Sequence, residues 1–237
     1  MRFIYLVASL TALCVSAVAF AEDDDGPWSG KAALGYLATS GNTDNASLNA
    51  AFALGYDLDR WHHSLDATAI GASDSNVSTA EAYSLGYKAK YDFSEFNYVF
   101  GLLNWNKDKF SGYDQQVSEA IGYGRRVLNN ERHVLNLEIG AGSRQSDLRD
   151  GTSQSEAVLR GGLDYAWQIS ETAEFTQDVV VESGSNNTYI ESISALRARI
   201  MGDIALVASY TVKQNSDVPL GSEKTDTYTA LSLEYAF

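Results

Sequence analysis

The sequence predicts an all-β chain closed into an antiparallel up-and-down transmembrane β-barrel of about twelve strands. Three observations lead there. Apolar residues alternate with small or polar ones over runs of ten residues or so, the connections between runs alternate between short and long, and aromatic residues gather beside the short connections.

Residues 46–58 show the period. Ala46, Leu48, Ala50, Phe52, Leu54, Tyr56 and Leu58 take the even positions, and Ser47, Asn49, Ala51, Ala53, Gly55 and Asp57 the odd ones. Side chains alternate across a strand, so one face is apolar and the other small or polar. Residues 83–93 repeat this with Tyr83, Leu85, Tyr87, Ala89, Tyr91 and Phe93 against Ser84, Gly86, Lys88, Lys90 and Asp92. A globular strand averages about five or six residues. A tilted membrane strand needs about 9–11.

Twelve such segments are expected, at 28–39, 46–58, 61–72, 80–93, 96–106, 115–128, 132–144, 154–167, 173–184, 189–200, 204–213 and 225–237. Short connections fall at Asp59-Arg60, Ser94-Glu95, Asn129-Asn130-Glu131, Gln168 to Thr172 and Met201-Gly202-Asp203. Longer ones fall at 40–45, 73–79, 107–114, 145–153, 185–188 and 214–224, with 185–188 the shortest of that set. Outer-membrane barrels place short turns in the periplasm and long loops outside. Both termini are then periplasmic and the strand number is even. The competing fold is a soluble secreted β-sandwich.

Tyr56 and Trp61 flank the first short turn, and Phe93 and Phe96 the second, with Tyr91 and Tyr98 just behind. Tyr165, Trp167 and Phe175 surround the fourth. By parity these mostly lie on the apolar face, as an interfacial girdle would. The last segment alternates to its end. Phe237, Tyr235, Leu233 and Leu231 share one face, and Ala236, Glu234 and Ser232 the other. A terminal aromatic on such a strand is expected to act as an assembly signal, carried by Phe237, Tyr235 and Leu233.

The chain opens Met1-Arg2, with one basic residue before an apolar run ending near Val18, followed by Ala19-Phe20-Ala21 and the acidic Glu22-Asp23-Asp24-Asp25. That is the pattern of a secretory signal peptide cleaved after Ala21. The expected organisation is therefore signal peptide 1–21, a short acidic periplasmic segment 22–27 and a barrel over 28–237. Cys14 raises a lipoprotein alternative, but Leu13 precedes it where a small residue is needed. Cys14 is the only cysteine, so no disulfide framework exists. Only two prolines occur, Pro27 and Pro219, both outside the segments. Mean hydropathy is −0.20, as expected where inward and outward residues average out. The net charge of −14 argues against a nucleic-acid partner.

The sequence resembles the salt-induced outer-membrane proteins (domain of unknown function, family 481). The resemblance rests on Trp28-Ser29-Gly30, on Thr39-Ser40-Gly41-Asn42-Thr43-Asp44, on Tyr56 through Arg60 with Trp61-His62-His63, and on Thr225-Asp226-Thr227 with Tyr235-Ala236-Phe237. It covers the chain after the signal. It implies an outer-membrane barrel and no established biochemical role.

Chemistry is sparse. His62 and Ser64 lie two apart on one strand face, which superficially suits a nucleophile–base pair. They are expected to be polar filler beside a turn. His62 and His63 point to opposite faces and do not suit a metal site. No catalytic residue, metal site or cofactor is expected. By parity the inward face holds Asp66, Lys88, Lys90, Arg126, Glu138, Arg144, Glu156, Arg160, Asp164, Asp178, Glu182, Glu191, Arg197, Arg199 and Glu234. Charges inside a small barrel must pair or be hydrated. The preferred expectation is a salt-bridged filling in a structural or envelope-stress barrel, and the alternative is a narrow polar channel for ions or small solutes. A membrane-embedded hydrolase comes last. Expected partners are outer-membrane lipid and lipopolysaccharide, and the secretion and barrel-assembly machinery.

Overall fold

The computed structural model describes residues 26–39, 45–74, 77–109, 113–149, 151–218 and 223–237. The expected signal peptide, most of the acidic segment and the Ser40-to-Asp44 motif lie outside them. Twelve strands follow one another: β1 (Trp28–Thr39), β2 (Asn45–Leu58), β3 (Trp61–Asp74), β4 (Val77–Asp92), β5 (Asn97–Asp108), β6 (Tyr113–Asn129), β7 (His133–Leu148), β8 (Ser153–Ser170), β9 (Ala173–Gly184), β10 (Thr188–Met201), β11 (Ile204–Asn215) and β12 (Thr225–Ala236). Each pairs antiparallel with its sequence neighbours, and β12 pairs with β1, so the sheet closes into a barrel. Closure leaves no edge strand to be satisfied in lipid.

The ends of the barrel differ. At the turn end, β2 and β3 are joined through Asp59 and Arg60, with Asp59 at φ 52°. A two-residue hairpin requires such left-handed geometry, and Asp tolerates it. Gly202, at φ 53°, makes the equivalent bend before β11. At the loop end the strands run further than the alternation indicates. β7 continues to Leu148 rather than 144, and β3 and β4 extend to Asp74 and Val77, which shortens the long connection expected at 73–79. The reason is physical. Ser143 to Asp147 and Ser153 to Ser155 are nearly all polar on both faces, because neither face meets hydrocarbon there. Alternation marks the lipid-facing part of a strand, and the hydrogen-bond ladder outlasts it.

The outer face is apolar. Leu34, Ile121, Ile139, Leu159 and Leu233 point out and are exposed on the isolated chain. Such a surface needs a hydrocarbon surround. Aromatics band it at the turn end. Trp28 packs on Tyr56, Trp61 stacks on His63, and His63 accepts or donates a 2.8 Å bond with the Tyr87 hydroxyl. His133 stacks on both Tyr165 and Trp167. These two histidines therefore belong to the interfacial girdle. Tyr98 does not: it points inward and is 1% exposed, which corrects the expectation from its place beside Phe96.

Parity on β2 has a direct test. Leu54 is registered with Leu65 on the outer face, while Ala53 is registered with Asp66 on the inner face. Arginine at 54 should lose about 2–4 kcal/mol near the bilayer midplane. Arginine at 53 meets a carboxylate instead. Urea unfolding of Leu54→Arg and Ala53→Arg should show a much lower midpoint for the first, and equal tolerance would reverse the facing of the strand.

Candidate functional site: the charged barrel interior

The interior is built from inward residues of alternating strands, and several contacts skip strands, which only the interior allows. At the turn end, His62 on β3 bridges Asp57 at 2.6 Å and Asp92 at 3.1 Å. Asp92 in turn accepts from Arg126 on β6 at 2.8 Å, and Arg126 also donates to the Glu95 carbonyl. His62 is thus engaged by carboxylates. Ser64 reaches only the Lys88 carbonyl, at 3.5 Å, so the two residues form no nucleophile–base pair. Arg197 on β10 donates to Glu234 on β12 at 2.6 Å across β11. Arg199 is exposed at the rim and donates to the Glu171 carbonyl.

At mid-height, Lys88 on β4 donates to both oxygens of Glu138 on β7 at 2.6 Å, and the Tyr98 hydroxyl on β5 donates to the same carboxylate at 2.8 Å. The pair spans β5 and β6, and the reason is local sequence. Gly122 and Gly124 on β6 carry no side chain, so the Phe100 and Tyr98 rings of β5 lie flat over them. Lys88 sits 5.0 Å from the Phe100 centroid, and Lys90 and Arg126 lie at 5.1 and 5.3 Å from that of Tyr98. Such contacts favour cations over ring faces. Tyr98, Phe100, Leu102 and Ala120 form the buried apolar cluster of the interior.

Toward the loop end the filling is ionic. Arg144, 2% exposed, donates to Glu156 at 2.7 Å and to the Asn187 carbonyl at 2.6 Å, and lies 3.6 Å from Glu182. Glu182 also accepts from Arg160 at 3.0 Å. Both short ion pairs join residues directly opposite on neighbouring strands. The Asn187 side chain donates to Asn215 and accepts from Ser216 and the Asp217 amide, drawing two connections together. Glu191 accepts from Tyr189 at 2.8 Å and pairs with Lys213 at 3.4 Å. Tyr228 on β12 donates to Asp108 on β5 at 2.8 Å, and Tyr113 on β6 donates to the Asp217 carbonyl, so side chains bridge this mouth. A cavity of about 30 Å³ beside them, lined by Asn106, Gln116 and Asp226, has room for water.

The other wall is different. Inward residues of β1 to β4 are mostly small: Ala33 and Gly35, Ser47, Ala51, Ala53 and Gly55, Ser64 and Thr68, Ser84 and Gly86. Ala51, Ser64, Asp66 and Thr68 are exposed although they face inward. The Asp66 carboxylate lies across Gly86, where no side chain displaces it. The salt-bridged filling expected from sequence therefore forms from β4 round to β12, with His62 and its two aspartates at the turn end, and beyond them at mid-height the inward face of β1 to β3 carries no ion pair among the described residues. The side-chain carboxylates and amine of Asp66, Asp164, Asp178 and Lys90 make no hydrogen bond or ion pair among the described residues. The list of inward charges read from sequence lacked Lys31, an exposed inward amine on β1, and Asp92, the partner of Arg126, although parity puts Asp92 on the polar face of its strand. Both lie near strand ends, where the alternation is weakest. Among the described residues no group of three or more His, Cys, Asp or Glu could hold a metal ion.

The protein of unknown function family DUF481 matches residues 32–237. The uncharacterized protein YdiY of Escherichia coli strain K12 is 33% identical over 236 residues, covering 98% of this chain and 93% of that protein. In fold, the chain is similar to the COG4313 outer membrane channel from Pseudomonas putida F1, with a TM-score of 0.55 at 11% identity, over 92% of this chain and all of that one. It is also similar to the NanC porin, with a TM-score of 0.49 at 9% identity, over 88% of this chain and 97% of that one. The chain is an outer-membrane β-barrel, and it belongs to the DUF481 family of proteins of unknown function.

Proposed function

We propose that this barrel is a narrow polar channel for ions or small solutes. The observation that carries the reading is the one-sided interior. Ser64, Asp66 and Thr68 face inward at mid-height and are exposed. A barrel built only for stability gains by filling that space, since buried apolar contact is its main favourable term. Here the aromatic and ionic bulk runs from β4 to β12, and the inward face of β1 to β3 above His62 carries mostly small, polar or singly charged groups. Such a surface holds water. The Pseudomonas putida barrel of similar fold is an outer membrane channel, which agrees with this reading.

The second reading, a structural barrel with little conductance, draws on the buried Arg144 and Arg160 cluster and on the Tyr228–Asp108 bridge at the mouth. In either reading the turn end faces the periplasm and the loops face lipopolysaccharide. Secretion removes residues 1–21, and N-terminal sequencing should start at Glu22. Modification of Cys14 by lipid would refute that start. Single-channel recording in planar bilayers separates the two functional readings. Discrete ohmic steps are expected from protein extracted in detergent from outer membranes. Silent membranes containing barrels that still shift on gels when boiled would favour the structural reading.

A further inference from the structure

The inward charges are matched unevenly. From the turn end to mid-height three bases are engaged. Lys88 is held by both oxygens of Glu138, Arg126 by Asp92, and Arg197 by Glu234. Higher up, Lys213 is held by Glu191, and Arg144 and Arg160 by Glu156 and Glu182. Lys90 rests against the Tyr98 ring. The carboxylates of Asp66, Asp164 and Asp178 have no such partner among the described residues. Asp164 and Asp178 stand directly opposite each other on β8 and β9. Asp66 is exposed on β3, along the small-residue wall, and is registered with Ala53 and Gly86 on its two sides. Asp66 and Asp178 lie five residues, and Asp164 six, from the turn-end limits of β3, β9 and β8, which places the three carboxylates around one section of the interior.

We propose that this section makes the channel selective for small cations, with Asp66, Asp164 and Asp178 as the specificity-determining residues. The inference rests on the channel reading above. Low-dielectric walls focus the field of unneutralised charges into the water between them. Rings of Asp and Glu select cations in this way. A Lys88–Glu138 pair at 2.6 Å has little field beyond its own dipole, so the engaged bases offset the free carboxylates weakly. Lys31 and Lys90 oppose the effect. Lys31 lies nearer the turn end, beside Ala53 and Ala236, and Lys90 is held against an aromatic face. Three free carboxylates around one section outweigh them there. A permeating cation exchanges part of its water shell for carboxylate oxygens, and an anion meets three like charges.

The experiment is the reversal potential across a planar bilayer under a KCl gradient, with full-length barrel extracted in detergent from outer membranes. The wild type should prefer K⁺ over Cl⁻ several-fold. Asp66→Asn/Asp164→Asn/Asp178→Asn should bring the ratio close to one, with channel steps retained. Asp66→Asn alone should lower it part of the way. Asp66 is exposed, so this single variant keeps the test valid if the triple variant assembles poorly. A wild-type preference for Cl⁻, no preference, or a ratio unchanged in the variants overturns the selectivity proposal while leaving the channel intact. Folded barrels that give no current at all overturn the channel reading and this one with it.

Discussion

Alanine in place of Arg144 is expected to cost about 3–5 kcal/mol of folding stability, the usual penalty for leaving a buried charge without its partner. Arg144 is 2% exposed and is the shared partner of Glu156 and the Asn187 carbonyl, with Glu182 at 3.6 Å. Its removal takes a cationic partner from two carboxylates whose side chains are at most 6% exposed. Glu182 keeps Arg160, but Glu156 keeps only the Asn186 and Asn187 amides. Arg199→Ala is the matched control. Arg199 is exposed at the rim and donates to one carbonyl, so its loss should stay within about 0.5 kcal/mol. Urea unfolding in detergent, followed by tryptophan fluorescence, reads both. Equal midpoints would mean that water reaches Arg144 freely and that the loop-end cluster is no buried filling.

The strands that face lipid on one side were legible from sequence because the solvent itself imposes the period. β2 and β9 end within a residue of where alternation puts them. β5 shows why the interior was harder to read. Tyr98, Phe100 and Leu102 alternate with Val99, Gly101 and Leu103, so both faces are apolar and the period carries no sign. The missing clue lay on the next strand. Gly122 and Gly124 leave room opposite Phe100 and Tyr98, and that vacancy points the rings inward. Parity also identifies which charges face inward, but not which of them meet. Lys88 and Glu138 are 50 residues and three strands apart, and their contact depends on the bare β6 wall between them. The open β1–β4 wall was present in the sequence as a run of Ala, Ser, Thr and Gly at inward positions. Such residues ease sheet bending as readily as they leave space, so only the exposure of Asp66 and its neighbours separates the two causes.

Deletion of Phe237 is expected to abolish most barrel closure, and the seam between β12 and β1 explains the size of the effect. The registered ladder there is short, running from Lys31 opposite Ala236 to Leu34 opposite Leu233. Phe237 adds a reciprocal pair of bonds to Gly30, 2.7 Å from the Gly30 amide and 2.9 Å to the Gly30 carbonyl. Its ring stacks on Tyr235 at 6.1 Å and covers Gly30 so closely that a β-carbon there would meet it. The last residue is therefore part of the closure as well as the expected assembly signal, and the two roles separate experimentally. Refolding from urea into detergent involves no assembly machinery. If the seam matters, the truncated chain should give little of the heat-modifiable band even there. If the residue acts only as a signal, refolding should be normal and the defect should appear only in cells. The seam account makes a second demand at the partner position. Gly30→Val should impair closure because its side chain displaces the Phe237 ring, and Phe237→Ala in the same chain should relieve part of that loss. A Gly30→Val barrel that closes as well as the wild type, together with a truncated chain that refolds fully, would remove Phe237 from the seam.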